Sequence, residues 1–282
     1  MYQKKGYLEE SSRLFYVCDQ SDKLFPSHYH DFDKLTLFLQ GRVQYEIEGK
    51  TYGLQPFDIV LVRAGQLHRP IVSSDAVYER IIAYMSPAFF KTYEDPLCDL
   101  YSVFTKTPSP VLRQPQSTGS VYGAACRLRQ SFTQAGKKPA LLQNTIFLEF
   151  MIQLSLSIQE QHIGYVATGR QNEKIQTILT YINDNVAADL AIPAIASHFY
   201  MSPDYLMHLF KAETGYSLGT YITTKRLLLA RQLLQQGKAL TDVCYDSGFK
   251  NYSTFYRAWK QRFHQSPRKG LTGINLTEDS LD

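Results

Sequence analysis

The chain has 282 residues, room for two domains of ordinary size, and at 44% hydrophobic and 13% aromatic it can bury substantial cores. No run of 18 apolar residues occurs and the opening "MYQKKGYLEE" lacks a signal-peptide core, so a cytoplasmic chain with no membrane partner is expected. Cys18, Cys98, Cys126 and Cys244 are scattered without a CxxC pair, which argues against a disulfide framework or a zinc cluster.

Residues 24 to 85 read as β. "KLTLFLQG", "RVQYEIEGKTYGL", "FDIVLVRAGQ" and "YERIIAYMS" are short apolar or alternating runs punctuated by Gly or Pro, the pattern of a sandwich or barrel. "IEGK" at 47–50 reads as a hairpin turn. From 86 to 160 the period turns helical. In "LLQNTIFLEFMIQLSLSIQ" the spacing predicts a stripe of Leu142, Ile146, Phe150 and Leu154, flanked by Leu141, Phe147 and Met151, which suits a core or a helix–helix interface. "HIGYVATGRQN" has two glycines and no period, so residues 162–172 are expected to link two domains, 1–161 and 173–271.

From 173 to about 264 the pattern is helical throughout. "SPDYLMHLFKAETG" carries an N-cap Ser202, Pro203 in the first turn and a terminating Gly215. "LGTYITTKRLLLARQLLQQG" predicts a long helix, about 218 to 236, with a stripe of Leu218, Tyr221, Ile222, Leu229 and Leu233. "LTDVCYDSG" is short, and "NYSTFYRAWKQRF" follows with Asn251 as its N-cap. This part is also where the net charge of +4 is concentrated. Residues 201–270 hold eleven Lys/Arg and four acids, net +7, against net −3 elsewhere (19 bases, 22 acids), which points to a polyanionic partner for one domain only.

The two amphipathic helices superpose at an offset of 49 residues: Ser202 on Asn251, Leu206 on Phe255, Phe210 on Trp259. Upstream, Ala196 falls on Tyr245 and Tyr200 on Phe249, so each copy has the outline of a helix-turn-helix. At 100° per residue, Leu206, Leu209 and Phe210 anchor one second helix; Phe255, Ala258, Trp259 and Phe263 anchor the other. Asp204, Met207, His208 and Lys211 then share an outward arc, matched by Ser253, Tyr256, Arg257 and Lys260, with Tyr252 at its edge. An outward polar face on a second helix is what reading the major groove of double-stranded DNA requires. Arg257 suits a bidentate contact to guanine, His208 and Ser253 can donate or accept, and Met207 and Tyr256 can pack on a thymine methyl. Lys211, Lys250 and Lys260 suit phosphates.

"IAS…YMSPDYLMHLFKAETGYSLGTYITTKRLLLARQLL" followed by "VCYDSGFKNYSTFYRAWKQRF" resembles the DNA-binding domain of the AraC/XylS family of bacterial transcription regulators over about 173 to 270. The resemblance implies two reading helices in successive major grooves, with Arg226 part of the spacer-helix pattern. It departs in "SPRKGL", where Gly270 stands near the family's aromatic-Arg pair. Residues 25 to 72 resemble the small cupin-like β-barrel that many members carry as effector domain. The implied fold is α+β: a cupin-like barrel with dimerisation helices around 119 to 160, then an all-α domain with two helix-turn-helix motifs joined by a long helix. The implied function is a homodimeric regulator, an activator by analogy and then a partner of RNA polymerase, responding to a small-molecule effector, with sugars the candidate class.

Metal-bearing relatives of the barrel use His-x-His, a nearby Glu and a later His. Here His28, His30 and His68 stand in that order, but Lys34 occupies the Glu position. Three readings stay open: the histidines cap strand and turn ends; His28, His30, Arg63 and His68 line a barrel mouth that binds a small polar effector; or three imidazoles hold a metal. With the carboxylate missing, no metal and no cofactor are expected. A metal-dependent cupin enzyme is disfavoured by that gap and by the attached reading domain, and no GxSxG, P-loop or GxGxxG occurs. A regulator whose N-terminal domain only dimerises fits the apolar helix equally well.

Overall fold

The computed structural model describes residues 8, 10–20, 25–73, 77–113, 119–134, 139–167, 173–263 and 266–268. It divides into two compact units, Met1–Gln171 and Asn172–Asp282. The first contains β1 (Ser12–Gln20), β2 (Asp33–Gln40), β3 (Val43–Ile47), β4 (Lys50–Gly53), β5 (Ile59–Val62), β6 (His68–Val72) and β7 (Val77–Met85). After these come α1 (Pro87–Thr92), α2 (Ser102–Thr105), β8 (Val111–Arg113), α3 (Ser120–Thr133), α4 (Ala140–Gln159) and β9 (Gly164–Tyr165). The strands build a six-stranded sheet, β1-β7-β2-β5-β8-β9, and a three-stranded sheet, β4-β3-β6. The expected "IEGK" turn joins β3 to β4, with Glu48 and Gly49 both at positive φ as a tight hairpin demands.

β2 shows why the sequence there is nearly all apolar. Leu35, Leu37 and Leu39 face a helical layer and join a core with Phe147, Phe150, Met151 and Leu154. The alternate residues, Lys34, Thr36 and Phe38, face the second sheet. There Tyr45, Ile47 and Tyr52 pack on Val60, Val62 and Val111. The six-stranded sheet is thus covered on both faces, and each fully buried Leu or Phe contributes roughly 1.5–3 kcal/mol.

Four sequence expectations are corrected here. Residues 12–20, outside the predicted β region, form β1, paired along its whole length with β7. β8 interrupts the stretch expected to be helical; its Arg113 donates Nε and Nη2 to buried Asp58 at 2.9 and 2.6 Å, which ties β8 to the loop before β5. β9 falls inside the expected 162–172 linker and pairs with β8, while Ile163 and Val166 are buried; residues 168–172 lie outside the described ones. The buried face of α4 is rotated from the predicted stripe: Phe147, Phe150, Met151, Leu154 and Ile158 are inside, whereas Leu141 and Leu142 are 78% and 44% exposed. By length and composition α4 could cross a membrane, but its inner face belongs to this core.

The second unit is helical: α5 (Glu173–Asp184), α6 (Ile192–His198), α7 (Pro203–Thr214), α8 (Leu218–Gln235), α9 (Leu240–Asp246) and α10 (Tyr252–Phe263). Ser202 caps α7, its hydroxyl accepting from the Tyr205 N–H at 3.2 Å, and Gly215 closes it at φ +79. Asn251 caps α10 through the Thr254 N–H at 2.8 Å. α7 and α10 both pack on α8. The stripe of α8 holds at Leu218, Tyr221 and Ile222 but shifts afterwards to Leu227, Ala230 and Leu234, leaving Leu229 and Leu233 half-buried.

Candidate nucleic-acid interface and effector site

The helix pairs α6–α7 and α9–α10 are built alike, with one difference the sequence alignment missed. α6 starts at Ile192 and α9 at Leu240, 48 positions apart; α7 starts at Pro203 and α10 at Tyr252, 49 apart. The first turn has four residues, 199–202, and the second five, 247–251. The Met201 N–H donates to Ala196 O at 2.8 Å, and the Phe249 N–H donates to Cys244 O at 3.1 Å. Ala196 therefore corresponds to Cys244, not to Tyr245, and Tyr200 to Gly248, not to Phe249. Burial agrees, because Ala196 and Cys244 are both buried while Tyr245 is exposed. Tyr200 and Gly248 share a left-handed backbone, φ +54 and +88.

The second helices divide into faces largely as expected. In α7, Leu206 and Phe210 are fully buried, and Asp204, Met207, His208 and Lys211 are exposed. In α10, Phe255, Trp259 and Phe263 form a buried aromatic ladder, with ring centroids 5.6 and 4.4 Å apart. Ser253, Arg257 and Lys260 are exposed, Tyr252 stands at the edge, and Tyr256 is half-buried beside the Tyr252 ring. Lys250 is the added residue of the second turn. Its Nζ lies 2.8 Å from Asp189 Oδ2, and that hydrogen bond holds the Asp189 carboxyl below its ordinary range.

Sequence reasoning missed what fixes the second turn. Arg226 on α8 donates Nε to Val186 O at 3.1 Å and Nη2 to Ala188 O at 2.7 Å. A Cβ on Gly248 would meet Val186 O at 2.6 Å and Arg226 Nε at 2.8 Å. The loop after α5, the middle of α8 and the second turn thus meet at one point, and Asp189–Lys250 closes its exposed side. Only Arg226 had a signal in the sequence; the carbonyls it holds have none.

In the first unit the three histidines converge. His28 and His68 exchange backbone hydrogen bonds at 3.0 and 2.8 Å, which pins the segment before β2 to the start of β6. Their ligand atoms and that of His30 all lie within 4.8 Å of one another. Nδ1 of His28 faces Pro26 O at 2.9 Å and Nδ1 of His68 faces Gln66 O at 3.0 Å. A carbonyl only accepts, so each Nδ1 carries the proton and each Nε2 presents a lone pair in the neutral ring. Burial holds His68 well below its ordinary pKa, followed by the charges of Lys34, His28 and His30.

Arg63 does not join this cluster. It is exposed, and it acts on Asp33 and Tyr101, helping to hold both groups' pKa values down against burial. Lys34 takes its place. Its side chain is on the inner face of β2, 6% exposed, with Nζ 3.5 Å from His68 Nε2 and 5.9 Å from the Tyr45 ring centroid. The donor set therefore does not fit a divalent metal: an ammonium faces the lone pair that the ion would need, and the carboxylate of metal-bearing relatives is absent.

The family model of the AraC-like ligand binding domain matches residues 13–150, and a helix-turn-helix domain model matches residues 195–271. The chain belongs to the AraC/XylS family. As an AraC-family protein it is a DNA-binding transcription regulator with an N-terminal ligand-binding domain. It is similar to the HTH-type transcriptional activator RhaS of Yersinia pestis (strain Pestoides F), 25% identical over 252 residues that cover 86% of this chain and 88% of that one. RhaS of Shigella sonnei (strain Ss046) is 23% identical, with 86% of each chain covered. Among solved structures, ToxT from Vibrio cholerae matches at 12% identity and a TM-score of 0.38, covering 95% of this chain and 100% of that one. Both of these relatives are transcriptional activators.

Proposed function

We propose that this AraC-family chain is a cytoplasmic one-component transcriptional activator that binds DNA sequence-specifically as a homodimer and answers to a small molecule in its N-terminal barrel. The observation that carries the DNA reading is the repetition of one device. Two capped helices, α7 and α10, are each anchored by buried apolar groups on α8, and each leaves a polar arc exposed. α8 has 18 residues, about 27 Å at 1.5 Å each, which suits two reading helices about one DNA turn of 34 Å apart. Asp204, Met207, His208 and Lys211 would read one groove; Ser253, Tyr256, Arg257 and Lys260 would read the next, flanked by Tyr252 and Lys250. For Lys250 to reach a phosphate it must leave Asp189.

The effector reading rests on the convergence of His28, His30 and His68 within the barrel, with Lys34 replacing Arg63 as the cation beside them. Sugars remain the candidate class. The dimer reading is supported by Leu141 and Leu142, exposed at the start of α4. As an activator the protein would contact RNA polymerase. Selection from randomised duplexes followed by footprinting tests the core of the reading. The expected result is a site with two base-specific patches about one helical turn apart. Uniform recovery of all sequences, or a single patch, would overturn it.

A further inference from the structure

We infer that a polar cavity beside the first reading helix is a further DNA contact: it takes the sugar–phosphate backbone that borders the first groove, with Lys174, Tyr200 and Tyr205 as donors. The inference rests on the reading of α7 as a helix that enters the major groove, and it adds residues that lie outside both polar arcs.

The lining is the first ground. The cavity holds about 420 Å³ between the start of α5 and the turn into α7, and Lys174, Thr177, Tyr200, Ser202 and Tyr205 line it. Among the described residues no carboxylate does so. Glu173 and Asp204 each precede a lining residue and stand about 100° round their helices from it. Two of the lining hydroxyls have structural duties. Ser202 accepts from the Tyr205 N–H at 3.2 Å, and Thr177 donates to Glu173 O at 2.5 Å. The ammonium of Lys174 and the phenols of Tyr200 and Tyr205 are the remaining polar side-chain groups of that lining, and both kinds of group serve as phosphate contacts.

Placement is the second ground. Round α7, Tyr205 stands about 60° from His208, at the border of the reading arc. The cavity therefore continues the reading face. A helix seated in the major groove has the phosphates of the groove edges on its flanks.

Tyr200 is the third ground. Its own N–H donates to Ser197 O at 3.1 Å and the next, of Met201, to Ala196 O at 2.8 Å, so the turn is fixed. Its φ of +54 is disfavoured for any residue with a Cβ, and the second turn has Gly248 at that point. At 99% exposure the Tyr200 side chain returns almost no burial for that strain. What it supplies is a phenol at the cavity, and backbone strain kept at a ligand contact is a mark of function.

The test is binding of the full chain to its selected operator and to a random-sequence duplex of equal length, over a range of salt, with ethylation interference on the operator phosphates. Tyr200→Gly is the central variant, because it relieves the backbone. It should unfold at or above the wild-type temperature, yet bind both duplexes about two- to tenfold more weakly, the range of one hydrogen bond. Tyr205→Phe should weaken both duplexes to the same degree. Lys174→Gln should flatten the salt slope by about 0.9 and abolish interference at a phosphate beside the first patch. Wild-type affinity and slope in all three variants would overturn the inference, while a first patch still present in the footprint would keep the reading of α7. Absence of that patch in the wild-type footprint would overturn both. A loss confined to one base position would also overturn it, by making Tyr200 or Tyr205 a base reader.

Discussion

Gly248 and Tyr200 hold one backbone conformation at equivalent points of two turns, yet only one of them has to be glycine. Tyr200 is 99% exposed, so its Cβ meets solvent and the left-handed φ of +54 costs only its intrinsic strain. Gly248 is walled in by Val186 O and Arg226 Nε. Gly248→Ala should therefore cost about 2 kcal/mol or more, while Tyr200→Gly should be neutral or gain up to about 1 kcal/mol. Chemical denaturation of both variants checks this, and equal effects would show that the wall around Gly248 yields. At the reading face, Arg257→Ala should lose about 1–3 kcal/mol at one base position and relax specificity there. Lys260→Ala should weaken all sequences alike and flatten the salt slope by about one. Binding titrations over point-substituted operators and salt separate the two roles. In the first unit, burial pushes the Asp33 carboxyl up from 3.8 to about 6 against its hydrogen bond from Ala64 and the charge of Arg63. The folded state therefore holds the proton more tightly than the unfolded chain. The stability from this group is complete below pH 3.8 and is lost as pH rises through about 6, on the order of 3 kcal/mol. Asp33→Asn keeps an acceptor for Ala64 and should flatten the fall in denaturation midpoint between pH 4 and 7.

At the scale of elements, the turn lengths set the bearing of each reading helix. One extra residue precedes α10, and that residue, Lys250, is held by Asp189 while Arg226 fixes the loop beneath it. Deleting Lys250 would give the second turn the length of the first. It should misplace α10 against α8 and abolish specific binding at the second patch, with far-UV circular dichroism little changed. Retained footprints at both patches would show the turn to be pliable. The helix caps are a smaller matter: Ser202→Ala and Asn251→Ala should each cost about 1 kcal/mol.

At the scale of the whole molecule, the charge division matters more than the net +4, since the excess of basic residues lies within 201–270, where the reading faces are. The oligomeric state belongs to this scale as well. Leu141 and Leu142 lie outside the core that the rest of α4 completes. Exchanging both for Glu should yield a monomer by sedimentation velocity with both units folded and weaker DNA binding; an unchanged mass would move the dimer interface elsewhere.

Periodicity and punctuation in the amino-acid sequence determined the helices from 173 onward, their caps and the polar arcs, because those features depend on spacing within one helix. They determined the β3–β4 hairpin of the barrel for the same reason. Tertiary structure decided the rest. β1, β8 and β9 are strands because of the partners they pair with, β7, β5 and each other, and a three-residue strand has no period to read. The inner face of α4 was set by the sheet it lies on. Lys34 displaced Arg63 at the histidines because alternation along β2 turns its side chain inward, toward a residue 34 positions away. The 48-against-49 offset was decided by which carbonyl each turn's N–H reaches, a choice of backbone hydrogen bonds that side-chain identities alone do not record.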